Sequence, residues 1–147
     1  MANGRPLEEA EVRKFVADWY HALDVHVPPE EARDMTAEEG LEFHIPEGVY
    51  RGRNGFSEVY HNWTHTFFDE IHTVRDVQFR PNDDHADLKV VVNWKGRVWK
   101  APDAKSQDLN FDAYQTWIVV RSPETDRPVI KLYQVDELKD LSDASKA

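Results

Sequence analysis

Between Leu41 and Phe79 the hydrophobic period of the chain switches from two residues to about 3.6 and back to two, so a helix must pack against the sheet that its flanking strands enter. Leu41, Phe43 and Ile45 fall on one side of a half-buried strand and Glu42 and His44 on the other. Pro46-Glu47-Gly48 has turn chemistry, and Val49 to Arg51 returns as a short strand. A helix is expected near residues 54–70, capped by Asn54. It places Phe56, Val59, Tyr60, Trp63 and Phe67 on one face, while Glu58, His65 and Asp69 point away. Ile71 to Phe79 reads as the next strand. This stretch holds four of the seven histidines and two of the five tyrosines, so packing and chemistry are both largely decided here.

The flanking segments complete an α+β pattern. A first helix is expected near residues 6–23, with Pro6 in its first turn and Glu8, Glu9 and Glu11 at the positive end of its dipole. Val12, Phe15, Val16, Trp19 and Leu23 form its apolar face, Tyr20 lies on the flank, and Lys14, Asp18 and His21 lie opposite. Pro28-Pro29 breaks the chain before a short helix from Glu30 to about Thr36. Strands then follow at Ala86–Trp94, Arg97–Lys100, Leu109–Arg121 and Pro128–Val135. Gly96 permits a bulge, residues 101–106 read as a loop, and the chain beyond about Glu137 reads as mobile. Helices followed by hairpin-linked strands make a cone-shaped, curved antiparallel sheet wrapped on the N-terminal helices, with an internal pocket between them. The 147 residues form one domain with an ordered core from about 6 to 136.

Composition narrows the partners. A net charge of −10 argues against nucleic acid or an anionic membrane surface. The absence of cysteine excludes a disulfide framework, a zinc–thiolate site and a thiol nucleophile. MANGRPLEEAEV lacks the apolar run of a signal peptide, and no stretch approaches a membrane span, so a cytoplasmic protein is expected. No Gly-rich phosphate loop, Ser-His-Asp order or cofactor fingerprint is visible, and neither a cofactor nor a metal is expected. His61 and His65 have helical metal-pair spacing, but Asn62 stands where HExxH has its glutamate, and a solvated face explains them better.

The segments FVADWYHALD, EFHIPEGVYRGRNGF, FFDEIHTVRDVQF and VIKLYQVDEL, in this order, resemble the SnoaL-like branch of the nuclear transport factor 2-like superfamily. The resemblance spans about Leu7 to Asp136. It implies the cone fold, and a group that contains ketosteroid isomerases, polyketide cyclases, dehydratases, hydrolases and non-catalytic association domains. Isomerase roles do not carry over. The position of the oxyanion tyrosine falls at Phe15, and that of the second acid falls near Gln115 or Thr116. The position of the general base falls at His44 or Ile45, depending on a one-residue register choice that reverses every side chain.

Two residues are therefore candidates for catalysis. His44 has the basicity of a neutral-pH base, although simple alternation turns it outward beside Glu42. Asp112 would need a bulge to turn it inward. His72, at the helix–strand junction, has no clear role. Candidate binding residues are Phe15, Trp19, Tyr50, Tyr60, Trp63, Trp94, Gln115 and Trp117, which would suit a flat hydrophobic small molecule. Gln115 interrupts an apolar row and must hydrogen-bond a neighbour, a water or a ligand. Tyr114, Thr116, Ile118 and Val120 on the opposite face of that strand point to a homodimer. The expected function is cofactor-free acid–base catalysis on such a molecule (a cyclase, isomerase, dehydratase or hydrolase). The alternative is ligand binding or dimeric association without catalysis.

Overall fold

In the computed structural model, which describes residues 6–99 and 107–141, the chain enters at a capped helix, α1 (Glu9–Val25). Glu8 and Glu11 form a reciprocal capping box at its start, with Glu8 N–H donating to Glu11 Oε1 at 3.1 Å. The helix begins and ends two to three residues later than its hydrophobic pattern indicates, because this box sits at Glu8 and the left-handed His26 (φ 53°) closes the other end. The apolar face is as expected, with Tyr20 drawn fully into the core beside Trp19.

α2 (Pro29–Arg33), β1 (Glu42–Ile45), β2 (Gly48–Arg51) and α3 (Gly52–Thr66) follow. α3 starts at Gly52 rather than at an Asn54 cap, and Arg51 occupies the cap position. A Cβ at Gly55 would lie 3.1 Å from the Tyr50 carbonyl carbon, so glycine lets the first turn of α3 press onto β2. The helix stops at Thr66, four residues before the expected end. Phe67 and Phe68 pair with Val98 and Arg97 instead, and this strand pairing overrides local helical patterning.

Four long strands complete the domain: β3 (Phe67–Pro81), β4 (Ala86–Val98), β5 (Gln107–Arg121) and β6 (Pro128–Asp140). Arg97–Val98 continues β4 without a break. The expected loop at 101–106 and the last residue of the expected 97–100 strand lie outside the described residues. β6 runs on to Asp140, through residues expected to be mobile, because Glu137 to Asp140 pair with Tyr114 to Phe111.

The sheet order is β2-β1-β6-β5-β4-β3. Every pairing is antiparallel except β1 with β6, where Phe43 lies beside Tyr133 in parallel register. Register shifts interrupt β3 at Asp69–Glu70 and Arg75, and β6 at Lys131 and Asp136. Each inserts a residue and sharpens the local twist, which curls the sheet around the helices without closing it.

The core is a ring cluster centred on Trp19, which packs on Phe43, Phe56, Trp117 and Tyr133 at centroid separations of 5.8–6.3 Å. α1 also covers the free edge of β3, with Arg13 donating to the Val77 carbonyl at 2.9 Å and Asp24 accepting from the His72 N–H at 3.0 Å. No helix among the described residues is long and apolar enough to cross a membrane.

Candidate functional site

Beyond the ring cluster, α3 and the inner face of the sheet part to leave a cavity of about 540 Å³. Tyr50, Trp63, Phe67, Trp94 and Phe111 supply aromatic walls. The exposed Glu47, Asn62, Thr66 and Gln107 mark its mouth. Its covered end is polar: His72, Gln115 and Tyr133 line it, each with about 3% of the side chain or residue exposed. Among the described residues that line the cavity there is no lysine or arginine, and Glu47 is the single carboxylate.

His72 is held from two directions. Asp24, in the last turn of α1, accepts the His72 backbone N–H at Oδ2 (3.0 Å) and meets ring Nδ1 at Oδ1 (2.6 Å). A carboxylate offers only acceptors, so Nδ1 carries the proton and Nε2 keeps a lone pair. The imidazole lies parallel to Tyr20 (centroids 4.8 Å, 25°) and to Trp94 (6.2 Å, 17°), with Trp63 edge-on at 6.4 Å. Ring position, tautomer and orientation are thus fixed, and among the described residues none hydrogen-bonds to Nε2.

The neighbouring donors are arranged by Gln115. Its Oε1 accepts the Tyr20 hydroxyl at 2.8 Å and the Trp117 indole N–H at 2.7 Å. The amide orientation follows from these two donors, and its NH₂ group remains for Tyr133 and the cavity. The Tyr20 proton is committed to Gln115, and the Tyr20–Tyr133 oxygen separation of 3.4 Å is long for a hydroxyl bond. Tyr133 is therefore the donor in that contact, a bond long enough for a ligand acceptor to replace. Burial pushes the Tyr133 phenol up to about 12 and the Tyr20 phenol well above its usual value. Both remain O–H donors at neutral pH.

Of the residues expected from sequence, Tyr50, Trp63, Trp94 and Gln115 line the cavity. Phe15, Trp19, Tyr60 and Trp117 are packed in the core instead, with the Tyr60 hydroxyl donating to the Val27 carbonyl at 2.5 Å. His44 is not brought to the cavity. Phe43 and Ile45 take the inner side of β1, and the His44 ring bonds Glu42 Oε1 at 2.7 Å and holds the Glu42 carboxyl below its usual range. Asp112 also stays outside, accepting from Arg75 Nε at 3.2 Å and Asn93 Nδ2 at 3.1 Å. His61 and His65 stack at 4.1 Å on the exposed side of α3. No group of three or more metal-ligating side chains occurs among the described residues.

His72, Asp24 and Tyr133, which build the covered end of the cavity, are not singled out by the sequence pattern. The available signal was weak: Asp24 lies one helical turn after Tyr20 on the same stripe of α1, and His72 shares strand parity with Val74. Nothing local joins residues 48 positions apart.

No protein-family profile matches the sequence, and no curated protein matches it significantly. Solved structures do match. A scytalone dehydratase candidate from Novosphingobium aromaticivorans is 18% identical with a TM-score of 0.69, over 89% of this chain and 82% of that one. A hexachlorocyclohexane dehydrochlorinase from Novosphingobium barchaimii is 14% identical with a TM-score of 0.72, over 90% and 89%. A calcium/calmodulin-dependent kinase II association-domain candidate from Xanthomonas campestris is 16% identical with a TM-score of 0.66, over 91% and 90%.

Proposed function

For a chain with the nuclear transport factor 2-like fold, we propose cofactor-free acid–base catalysis: an elimination or enolisation on an uncharged, largely apolar small molecule. The observation that carries this reading is the Asp24–His72 pair at the covered end of the cavity, with Nε2 unengaged by any described residue. Nε2 takes a proton from carbon next to a carbonyl, and the C–H electrons form the new double bond. Asp24 steadies the imidazolium that results. In an elimination, the β-hydroxyl departs as water with the Tyr133 proton. A phenol near 12 is still a better acid than the water it replaces. The imidazolium proton returns to the tyrosinate through solvent, so one water leaves and the protein is restored. Gln115 N–H supports the oxygen on which charge develops.

The cationless lining favours a leaving group that departs neutral over one that departs as a bare anion. Two of the similar structures carry the names of eliminating enzymes, a dehydratase and a dehydrochlorinase, which supports the reaction class.

A screen of polyketide-like and terpenoid β-hydroxy carbonyl compounds, followed by ultraviolet absorbance of the conjugated product, tests the proposal. Turnover that His72→Gln abolishes is the expected result. A compound that is converted equally well by His72→Gln would remove His72 from the mechanism. Tight binding without conversion across the screen would leave a ligand-binding module.

A further inference from the structure

Asp24–His72 is one of two carboxylate–imidazole pairs between the end of α1 and β3, and the second runs in the opposite sense. His26, the left-handed residue that closes α1, reaches across to Glu70 with its Nε2 against Oε2. The Glu70 side chain is 1% exposed, whereas His26 is 28% exposed. A carboxylate so deeply covered must have its lone pairs satisfied. The other oxygen, Oε1, accepts two indole N–H groups, Trp63 Nε1 at 3.0 Å and Trp94 Nε1 at 3.1 Å. These belong to different elements, α3 and β4, and both rings line the cavity and flank the His72 imidazole.

The backbone is shaped to put Glu70 there. Asp69 has a φ of 52°, and Asp69–Glu70 bulge opposite Gly96 in β4. A Cβ on Gly96 would lie 3.3 Å from Glu70 Cγ and 3.6 Å from Trp94 Nε1. A left-handed non-glycine residue, a bulge and a glycine thus converge on one carboxylate that does not itself line the cavity.

We infer that Glu70 is a positioning residue, whose Oε1 clamps Trp63 and Trp94 into the wall that holds both the ligand and the His72 ring, with His26 as its counter-partner. The inference rests on the cavity being the ligand site and is independent of which reaction follows. Hydrogen bonds to a charged acceptor are the strong ones, and one oxygen shared by two indoles couples α3 to β4 across the pocket. Glutamine at position 70 keeps an oxygen for the two indoles, whereas alanine keeps none.

The test uses the whole chain labelled with 5-fluorotryptophan, read by ¹⁹F NMR without ligand, and 2-naphthol as an uncharged flat probe. Glu70→Ala should shift and broaden the Trp63 and Trp94 resonances while leaving those of Trp19 and Trp117 in place. It should weaken 2-naphthol binding about tenfold or more, and Glu70→Gln should restore both readouts to within about threefold of the parent. Gly96→Ala leaves Glu70 chemically intact and its added Cβ meets Trp94 directly, so the Trp63 resonance, which that Cβ reaches only through Glu70, should move as it does in Glu70→Ala and decides the matter if Glu70→Ala does not fold. An undisturbed Trp63 signal in Glu70→Ala and Gly96→Ala would overturn the inference, as would a uniform shift of all the tryptophans. Should the parent not bind 2-naphthol, the ligand-site reading is what loses support, and the ligand-free spectra alone decide the role of Glu70.

Discussion

At the scale of single residues, the site depends on how hydrogen-bond capacity is distributed. Asp24 accepts from both the backbone N–H and the ring of His72, so Asp24→Asn loses one acceptor and sets an NH₂ against an N–H donor. The imidazole would turn or change tautomer. On a converted substrate, Asp24→Asn and His72→Gln should each lower kcat/KM by on the order of 10²–10⁴-fold, with thermal stability little changed for the latter. Equal rates for Asp24→Asn and the parent would show that the pair has no part in proton transfer. Tyr133 gives a pH prediction with a definite sign. Its phenol sits near 12 in the fold and near 10 in an unfolded chain, so the folded state holds this proton more tightly. That stability is fully present below pH 10 and is lost as the pH rises through 12, at about 1.4 kcal/mol per pH unit. Tyr20, raised in the same direction by burial, adds to the loss. Urea unfolding from pH 8 to 11.5 should show this decline, and Tyr133→Phe should make it shallower. A flat profile would argue that neither phenol is desolvated. The legible and illegible parts of the site divide along the same lines. Gln115 could be singled out because a polar residue in an apolar strand row must find partners, and it binds Tyr20, Trp117 and the cavity. His44 drew attention through its place beside a proline turn, but alternation with Phe43 and Ile45 already turned it toward Glu42. His72 could not be distinguished, because the carboxylate that orients its ring is supplied by another element.

At the scale of elements, period and turn chemistry located the helices and strands but missed the places where pairing competes with propensity. Phe67 fits the helical face of the preceding segment, yet β4 offers Phe67 and Phe68 an edge, and the aromatic contact of Phe67 with Trp94 (4.9 Å, edge-on) rewards the strand. The bulge at Asp69–Glu70 is equally invisible locally, since it depends on Gly96 of a different strand. The parallel β1–β6 pair has no sequence signal either, because β1 reaches β6 only after the chain has closed around the helices. The contact between α3 and β2 yields a prediction. Gly55→Ala gains about 1 kcal/mol of helix propensity, but its Cβ would press within 3.1–3.2 Å of the Tyr50 backbone carbon and Cβ. Relief by backbone shift costs about 1–3 kcal/mol, so the net should be destabilising, by about 1 kcal/mol, in urea unfolding. Tyr50 lines the cavity, so 2-naphthol affinity should fall as well. A stabilised variant would mean that the β2 edge yields freely.

For the whole molecule, the outer face of the sheet is the remaining large surface, and it is mixed in character. Lys89, Thr116, Asp136 and Gln134 form a hydrogen-bonded polar strip across it (Lys89 Nζ to Thr116 Oγ1 2.8 Å, Thr116 Oγ1 to Asp136 2.6 Å). Tyr114, 37% exposed, flanks the strip on one side, and the half-buried Ile118 and Leu132, paired across β5 and β6, flank it on the other. We propose that this face meets a second copy of the chain, with Tyr114 and Ile118 as apolar contacts around a polar centre. A self-complementary arrangement of that kind is the commonest closed assembly. The net charge of −10 on each chain opposes association, and this makes the proposal sensitive to ionic strength. Repulsion between two such chains is screened as the Debye length falls from about 10 Å at 0.1 M salt to about 3 Å at 1 M, whereas apolar contacts are not weakened. Light scattering at tens of micromolar should therefore give a dimer mass, with an association constant that rises from 0.05 to 0.5 M sodium chloride. Ile118→Glu or Tyr114→Glu should give the monomer mass at every salt concentration while retaining 2-naphthol binding, because neither residue lines the cavity. A parent that stays monomeric throughout, or variants that remain dimeric, would move the interface elsewhere or remove it.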